Sequence, residues 1–153
     1  EPLSAEEFAP FGDILDSDGA PDQMINQGLC GRYHDRAKLE FTTGRAGINI
    51  FDATPRALPY QLDMMERHPL GSQAFIPMTD TPFLITAAKD NSGVPDQVRA
   101  FLSRPGQAIN FHRNIWHGVL TPLHAPGLFA VIDRIGEGNN LEEFTFDTPY
   151  NIQ

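Results

Sequence analysis

Glycine and proline recur along this chain at intervals too short for long helices. The 153 residues include 13 glycines and 13 prolines, and this share of proline is well above the average for proteins. Proline cannot continue a helix or a central strand, and glycine favours turns, so together they divide the chain into many brief segments. Short segments between turns are typical of a β-sandwich or closed β-barrel rather than of alternating strands and helices.

Most segments between these turns are predicted to be strands. The exceptions are a short helix that begins at the capping sequence Ser4-Ala5-Glu6-Glu7 and runs to about Ala9, and a helical turn at Pro95–Leu102. The predicted strands are Asp13–Leu15, Asp22–Asn26, Lys38–Thr42, Ala46–Asp52, Leu58–His68, Ser72–Met78, Phe83–Ala88, Ala108–His112, Gly118–Leu123, Leu128–Arg134 and Glu142–Asp147. No linker or repeat interrupts them, so we expect a single domain over residues 1–153.

The formal net charge of −9 limits the partners of the chain. Nucleic acids and anionic membrane surfaces are also negative, so we expect neither as a partner. No apolar run reaches the roughly 18 residues of a membrane-spanning helix, and we expect no signal peptide. The one cysteine, Cys30, cannot form an intramolecular disulfide and is predicted to be a small buried residue. These features predict a cytoplasmic protein.

The predicted strand Leu58–His68 carries the clearest sign of a functional site. Alternate residues share one face of a strand, and here a row of apolar side chains on one face ends in Glu66 and His68. An ionisable group in an inward-facing row is costly unless it is paired, protonated or bound to a metal. Two interpretations stay open: a site at the mouth of a small barrel, or two polar side chains that hydrogen-bond each other or water.

Histidine, carboxylate and amide side chains form two polar clusters on separate strands. The first runs from Glu66 to Gln73 and the second from Phe111 to His117. Strands that are distant in sequence can meet inside a closed barrel. Imidazole together with a carboxylate or an amide oxygen suits a borderline divalent metal such as Ni, Mn, Fe or Zn.

These clusters resemble the two sequence motifs of cupin barrels. Glu66-x-His68-x4-Gln73 stands where the first motif usually has His-x-His followed by Glu, and Pro105-Gly106, His112 and Trp116-His117 resemble the second. A neutral amide is a poorer ligand than a carboxylate, so we expect modest metal affinity. The chain is more closely similar to the ureidoglycolate lyase family, a cupin family of allantoin and purine degradation. The similar segments are Ala9–Asp13, Ile25–Gly28, Arg32–Asp35, Glu66–Pro77, Asn110–His117 and Val131–Arg134.

The resemblance implies a mainly β fold, a cupin-type double-stranded β-helix (jelly-roll barrel) with a few short helices. It implies a carbon–nitrogen lyase of the amidine-lyase type that cleaves ureidoglycolate to glyoxylate and urea, and it suggests a homodimer. The implied cofactor is a divalent metal ion, nickel by resemblance, with Mn, Fe or Zn as alternatives. Two other functions stay open: a ureidoglycolate hydrolase that releases ammonia and carbon dioxide, and a non-catalytic cupin that binds a small acid.

Such a reaction needs a base near the substrate hydroxyl, a donor near the departing nitrogen and a clamp for the carboxylate. The predicted catalytic residues are Glu66, His68 and His117, with Glu66 as general base or fourth metal ligand. The predicted metal ligands are His68, Gln73 and His117, with His112 as the alternate. The predicted substrate-binding residues are Asn26, Gln27, Arg32, His34, Ser72 and Arg113, because amides suit urea and arginine suits a carboxylate. Asp133 shares a face with apolar residues and is expected to pair with a ligand-holding histidine.

Overall fold

The fold consists of one short helix and 13 strands, in a computed structural model that describes residues 1–153. In chain order the elements are helix α1 (Ala5–Phe8) and strands β1 (Gly12–Leu15), β2 (Gln23–Ile25), β3 (Cys30–Arg32), β4 (Arg45–Asp52), β5 (Tyr60–Arg67), β6 (Gln73–Pro77), β7 (Phe83–Asn91), β8 (Val94–Leu102), β9 (Ala108–Phe111), β10 (Trp116–His117), β11 (Thr121–Pro122), β12 (Leu128–Ile135) and β13 (Glu142–Ile152). The predicted mainly β fold class is confirmed.

Two antiparallel sheets enclose the main core. One has the strand order β1-β9-β6-β12-β4, and the other has the order β11-β7-β10-β5-β13 with β8 beside β7. Phe75, Ile109 and Phe129 from the first sheet and Phe83 and Ile85 from the second belong to one buried cluster. Neighbouring strands are distant in sequence, as in the predicted cupin-type barrel.

Alternation along the second sheet separates the barrel interior from a second apolar cluster. On β7, Ala87 belongs to the main core, whereas Ala88 belongs to a second cluster that includes Trp116. Strand β10 pairs His117 with Ala87 and Trp116 with Ala88. Residues that are directly opposite in an antiparallel pair share a face, so His117 points into the barrel and Trp116 points away from it.

Helix α1 begins as its capping sequence predicts. The Oγ of Ser4 accepts a hydrogen bond from the backbone N–H of Glu7 at 3.3 Å. The helix ends at Phe8, which is fully buried and packs edge-on against Phe101. No helix of the structure has the length and apolarity needed to cross a membrane.

The prediction of a helical turn at Pro95–Leu102 is wrong, because this segment lies within strand β8. A tight turn at Ser92 and Gly93, with φ of 55° and 87°, joins β7 to β8. Two consecutive positive φ angles fit the two-residue turns of β-hairpins. Pairing with β7 buries Phe101 completely, so the tertiary packing determines the conformation of this segment.

The predicted strand at Lys38–Thr42 is reduced to an isolated antiparallel bridge between Phe41 and Gly71. Its backbone donors bind side chains of other segments, since the N–H of Lys38 donates to Asp13 and the N–H of Glu40 donates to Ser72, both at 2.9 Å. Side-chain acceptors therefore take the place of part of a strand ladder, while the N–H of Thr42 still donates to the carbonyl oxygen of Leu70 at 2.9 Å.

The hairpin of β2 and β3 stands apart from both barrel sheets. Its strands pair only with each other, and Asn26 and Gln27 form the turn with φ of 53° and 57°. Leu29 is 85% exposed. Cys30 is also exposed, so the prediction of a buried cysteine is wrong. An isolated two-stranded hairpin buries too little apolar surface to be stable alone, so this segment has surface available for a partner.

Candidate functional site

Three ionisable side chains meet at one end of strand β5. Glu66 lies directly opposite His117 of β10, and His68 follows the end of β5. One ligand atom from each of the three side chains lies within 4.8 Å of the others. We refer to Glu66, His68 and His117 as the barrel cluster. The structure therefore brings the three predicted catalytic residues together.

Backbone carbonyls fix the orientation of both imidazole rings. The Nδ1 atom of His68 lies 2.7 Å from the carbonyl oxygen of Asn140, and Nδ1 of His117 lies 2.9 Å from that of Gly118. A carbonyl oxygen can only accept, so Nδ1 carries the proton in each neutral ring and Nε2 has a free lone pair. Both Nε2 atoms are buried and have no hydrogen-bond partner. The cluster thus presents two unused nitrogen lone pairs.

His117 is held rigidly inside the barrel. Its side chain is 1% exposed, and its ring stacks on Phe111 with a centroid distance of 4.3 Å and an interplanar angle of 9°. Burial, and secondarily the neighbouring His68, lower the pKa of His117 to about 3. The ring is therefore neutral near pH 7. Its predicted catalytic role can be that of a lone-pair donor, not of a proton donor.

Glu66 has the properties of a general base. Burial raises the pKa of its carboxyl group above the ordinary value of 4.5, His68 acts in the opposite direction, and Glu143 raises the pKa further. Glu143 lies opposite Glu66 on strand β13. A carboxylate with a raised pKa takes up protons more readily at neutral pH than an ordinary surface glutamate.

The barrel cluster fits a divalent metal. Two neutral imidazole nitrogens and a carboxylate are a donor set that borderline divalent ions accept. The unpartnered Nε2 atoms are the atoms that such an ion would engage, and the carbonyls on Nδ1 resemble the outer hydrogen bonds that usually orient metal-bound histidines.

Gln73 lies beside this cluster and is bound to Asp133. It is 6% exposed, and it lies opposite Phe111, whose ring stacks on His117. The Nε2 of Gln73 donates to Asp133 at 3.2 Å, and Asp133 also accepts a hydrogen bond from Asn49 at 2.8 Å. The expectation that Asp133 pairs with a histidine is therefore wrong, because its partners are two amides.

His112, the alternate ligand, lies outside the barrel cluster. Its Nε2 is 3.0 Å from Oδ1 of Asp13, and its side chain is 37% exposed. It lines a surface cleft together with Asp13 and Asp35. Of the two histidines in the second motif, the structure brings only His117 to Glu66.

Ser72 and Arg113 both bind the segment around Glu40. The Oγ of Ser72 accepts the N–H of Glu40 at 2.9 Å, as a loop-fixing serine does. Arg113 contacts the Glu40 carboxylate through Nε at 3.1 Å and donates from Nη1 to the carbonyl oxygen of Pro69 at 3.0 Å. Pro69 follows His68 in the sequence, so this hydrogen bond joins Arg113 to the residue next to a member of the barrel cluster.

The other predicted substrate-binding residues lie on the exposed β2–β3 hairpin and the segment after it. The side chains of Asn26, Gln27, Arg32 and His34 form no hydrogen bond or ion pair with the barrel cluster. None of the cavities and clefts of the structure is lined by Glu66, His68 or His117. The cluster is therefore largely covered by its own chain, with the side chains of His68 and Glu66 17% and 22% exposed.

Two contributors to the site were not predicted from the sequence. The carbonyl groups of Asn140 and Gly118 orient the histidines, and a backbone carbonyl leaves no residue-type signal in a sequence. Phe111 does lie within the second polar cluster, but its stacking on His117 depends on the pairing of β6 with β9.

The full length of the chain matches one known family. A family model described as "Ureidoglycolate lyase" matches residues 1–153. The chain is 58% identical to a ureidoglycolate lyase of Rhodobacter capsulatus, over 100% of this chain and 96% of the relative. It is 49% identical to a ureidoglycolate lyase of Chelativorans sp., over 99% and 93%. It is 50% identical to ureidoglycolate lyase 2 of Rhizobium meliloti, over 99% and 94%.

Proposed function

The chain belongs to the ureidoglycolate lyase family, and from this membership we infer that it is a carbon–nitrogen lyase that cleaves ureidoglycolate to glyoxylate and urea. The observation that supports a catalytic site most directly is the meeting of Glu66 with two imidazole Nε2 atoms that are buried and have no hydrogen-bond partner. The family matches this reaction rather than the hydrolase or the non-catalytic binding module. As the resemblance implies, the reaction belongs to allantoin and purine degradation.

The reaction is an elimination at one carbon. That carbon carries the hydroxyl group, the ureido nitrogen and the carboxylate of ureidoglycolate. Glu66 takes the hydroxyl proton, the oxygen electrons form the carbonyl of glyoxylate, and the C–N bond breaks with its electron pair on nitrogen. The oxygen and the nitrogen share one carbon, so the same carboxyl group can return the proton to nitrogen and release urea. No water is consumed.

We assign the metal-holding role to the histidines. His68 and His117 would bind a divalent ion through Nε2, with Gln73 as an oxygen ligand and Glu66 as general base or, alternatively, fourth ligand; nickel is our first choice, and Mn, Fe and Zn are the alternatives. Such an ion, when bound, lowers the pKa of a coordinated hydroxyl group. His117 supplies only its lone pair, because its low pKa keeps it neutral. The stack on Phe111 keeps that lone pair in a fixed direction.

We propose that substrate recognition requires a second copy of the chain. In this homodimer the β2–β3 hairpin of one chain covers the barrel cluster of the other. The proposal is supported by the isolation of the hairpin from its own barrel and by the exposure of Leu29 in its turn.

In this arrangement Arg32 clamps the substrate carboxylate and Asn26 and Gln27 read the urea group, with His34 beside them. Arg32 forms no ion pair within its own chain and is exposed, so its charge is available. Arg113 would contribute from the chain that holds the cluster, and Ser72 would act by fixing the loop at Glu40.

We also propose that the enzyme acts in the cytoplasm. A metabolic lyase with a single exposed cysteine, Cys30, fits a reducing compartment, where the thiol is not oxidised to a disulfide.

Product analysis tests the proposed reaction. Purified protein is given ureidoglycolate, and glyoxylate, urea and ammonia are measured together against a protein-free blank. We expect glyoxylate and urea in equal amounts without ammonia. Glyoxylate with ammonia would instead identify a hydrolase, and no product above the blank would favour the binding module.

A further inference from the structure

Three polar side chains form a hydrogen-bonded chain across the first sheet. Asn49 of β4 donates from Nδ2 to Oδ1 of Asp133 at 2.8 Å, and Gln73 of β6 donates from Nε2 to Oδ2 of the same carboxylate at 3.2 Å. Strand β12, which carries Asp133, lies between β4 and β6. Each carboxylate oxygen therefore accepts one hydrogen bond from an amide NH₂ group. Neither amide can turn its oxygen toward the carboxylate without losing that hydrogen bond.

These hydrogen bonds determine the orientation of the Gln73 amide. An amide has one donor end and one acceptor end, and a carboxylate offers only acceptors. The NH₂ group of Gln73 must face Asp133, so the Oε1 atom points away from it. That oxygen is buried and has no hydrogen-bond partner in the chain. A buried amide oxygen without a partner is costly unless a ligand engages it.

The oxygen lies in the interior layer that contains the barrel cluster. Gln73 is directly opposite Phe111, which stacks on His117, and the next inward residue of β6, Phe75, has its ring 6.4 Å from that of His117. The Nε2 atoms of His68 and His117 are likewise buried and unpartnered. Three unused acceptor atoms therefore lie in one part of the barrel.

We propose that Asp133, held by Asn49, is a positioning residue that orients the Gln73 amide so that Oε1 serves as a ligand atom for a divalent metal at the barrel cluster. Asp133 itself does not contact the metal or the substrate. The proposal rests on the proposed metal role of the cluster and explains how a neutral amide can act there, because its orientation is set before the ion binds.

The test measures nickel binding in the absence of substrate. Ni²⁺ is titrated calorimetrically into metal-free protein and into Asp133→Asn. The new amide offers both a donor and an acceptor to Gln73, so the fixed orientation is lost. We expect the dissociation constant to rise by about 10- to 100-fold, the range known for residues that orient metal ligands.

A double substitution separates orientation from general damage. Gln73→Glu alone places two carboxylates side by side and should weaken nickel binding or folding through their repulsion. Gln73→Glu combined with Asp133→Asn restores a donor–acceptor pair with reversed polarity, since the new asparagine donates to the new glutamate and still accepts from Asn49. We expect the double variant to bind nickel at least as tightly as the unsubstituted chain.

Asp13→Asn is the matched control. Asp13 also accepts a hydrogen bond from a buried amide, Nδ2 of Asn110 at 3.1 Å, but lies outside the barrel cluster. Distant sites act independently, so its dissociation constant for nickel should stay within about twofold of the unsubstituted value.

Three results would overturn the proposal: unchanged nickel affinity in Asp133→Asn, weak binding by the folded double variant, or no nickel binding by the unsubstituted protein. If Asp133→Asn does not fold, the comparison of the double variant with Gln73→Glu decides, because both carry the same carboxylate and differ only in its partner at position 133. Tighter nickel binding by the double variant supports the proposal, and equal binding refutes it. The lyase reaction is judged separately from its products, so the two conclusions can fail independently.

Discussion

At the residue scale, the chemistry depends on which nitrogen of each imidazole carries the proton. In His68 and His117 a backbone carbonyl holds the proton on Nδ1 and leaves Nε2 for the site. The raised pKa of Glu66 suits it to accept a proton, whereas the low pKa of His117 keeps that ring neutral. In the proposed mechanism, Glu66 therefore transfers the proton and His117 donates a lone pair.

Replacing Glu66 should therefore remove turnover without destabilising the fold. We expect Glu66→Gln to reduce kcat/KM by about 10²- to 10⁴-fold, the usual contribution of a general base. Burial raises the pKa of the folded carboxyl group, so its ionised form costs stability at pH values above that pKa. At pH 7 the melting temperature of Glu66→Gln should consequently be unchanged or higher. A clear drop in melting temperature would identify Glu66 as a structural residue.

The pH profile of the unsubstituted enzyme gives a second measure of Glu66. The acid limb of kcat/KM should have its midpoint above 4.5, the ordinary value for a glutamate, because only the ionised form accepts the proton. Activity falls as the pH drops through this midpoint. The limb should be absent from the residual activity of Glu66→Gln, and an identical limb in both proteins would contradict its assignment to this residue.

At the element scale, strand β5 explains how much of the site the sequence could reveal. The sequence singled out Glu66 and His68 from one strand, and Glu66 does lie opposite His117 where β5 pairs with β10. The predicted inward row is less regular in the structure, because Met65 is fully buried while Met64 is only half-buried, and Leu62 belongs to the second apolar cluster. The choice between His112 and His117 was not predictable, because β10 has only two residues and too short an alternation to define a face. That choice depends on the pairing of β10 with β5 and β7, which brings together segments distant in sequence.

The two segments whose predicted structure was wrong also depend on contacts with distant parts of the sequence. Strand β8 contains Pro95 and lacks a clear apolar alternation, and it is extended because its pairing with β7 buries Phe101. The segment Lys38–Thr42 alternates like a strand, but the side chains of Asp13 and Ser72 take its backbone donors. Local sequence preferences are overridden in both cases by partners elsewhere in the chain.

The β2–β3 hairpin leads to a test of the proposed two-chain site. We expect Arg32→Ala and Glu66→Gln each to be nearly inactive alone. In a mixed dimer of the two variants, the chain with Ala at position 32 keeps its Glu66 and receives an intact Arg32 from its partner. One of two sites is then complete, so activity should recover to about half of the unsubstituted value.

Differently tagged copies allow the mixed dimer to be isolated and assayed. Arg36→Ala is the matched control, because Arg36 is already paired with Asp22 of its own chain at 2.8 Å and should be dispensable for activity. The proposal fails if Arg32→Ala is fully active, or if the mixed dimer is no more active than its parents.

At the scale of the whole molecule, Asp13 connects segments from three parts of the chain. Its carboxylate accepts hydrogen bonds from the N–H of Lys38 at 2.9 Å and from Nδ2 of Asn110 at 3.1 Å, and it lies 3.0 Å from Nε2 of His112. Burial acts to raise the pKa of Asp13, but these three groups outweigh it and hold the pKa below 3.8. One ionised group on β1 thereby joins the segment at Lys38 to strand β9 and His112.

This connection should contribute to stability in a pH-dependent way. A depressed carboxyl pKa stabilises the fold at pH values above 3.8, and that contribution is lost as the pH falls through the folded-state pKa. We expect Asp13→Asn to lower the free energy of unfolding at pH 7 by about 1–3 kcal/mol. The difference between the two proteins in urea denaturation should shrink at pH 3. An equal difference at both pH values would show that Asp13 does not act through its charge.

The two faces of strand β5 have a consequence for how this protein can change over time. Glu66 faces His117 inside the barrel, while its neighbour Arg67 lies on the other face, over Trp116 at 4.4 Å and paired with Asp90 at 2.8 Å. Insertion or deletion of one residue earlier in β5 would exchange the faces of Glu66 and Arg67. The guanidinium group of Arg67 would then point into the barrel in place of the Glu66 carboxylate. A change of two residues would preserve both faces. A one-residue change in this strand would need a compensating β-bulge to keep Glu66 opposite His117.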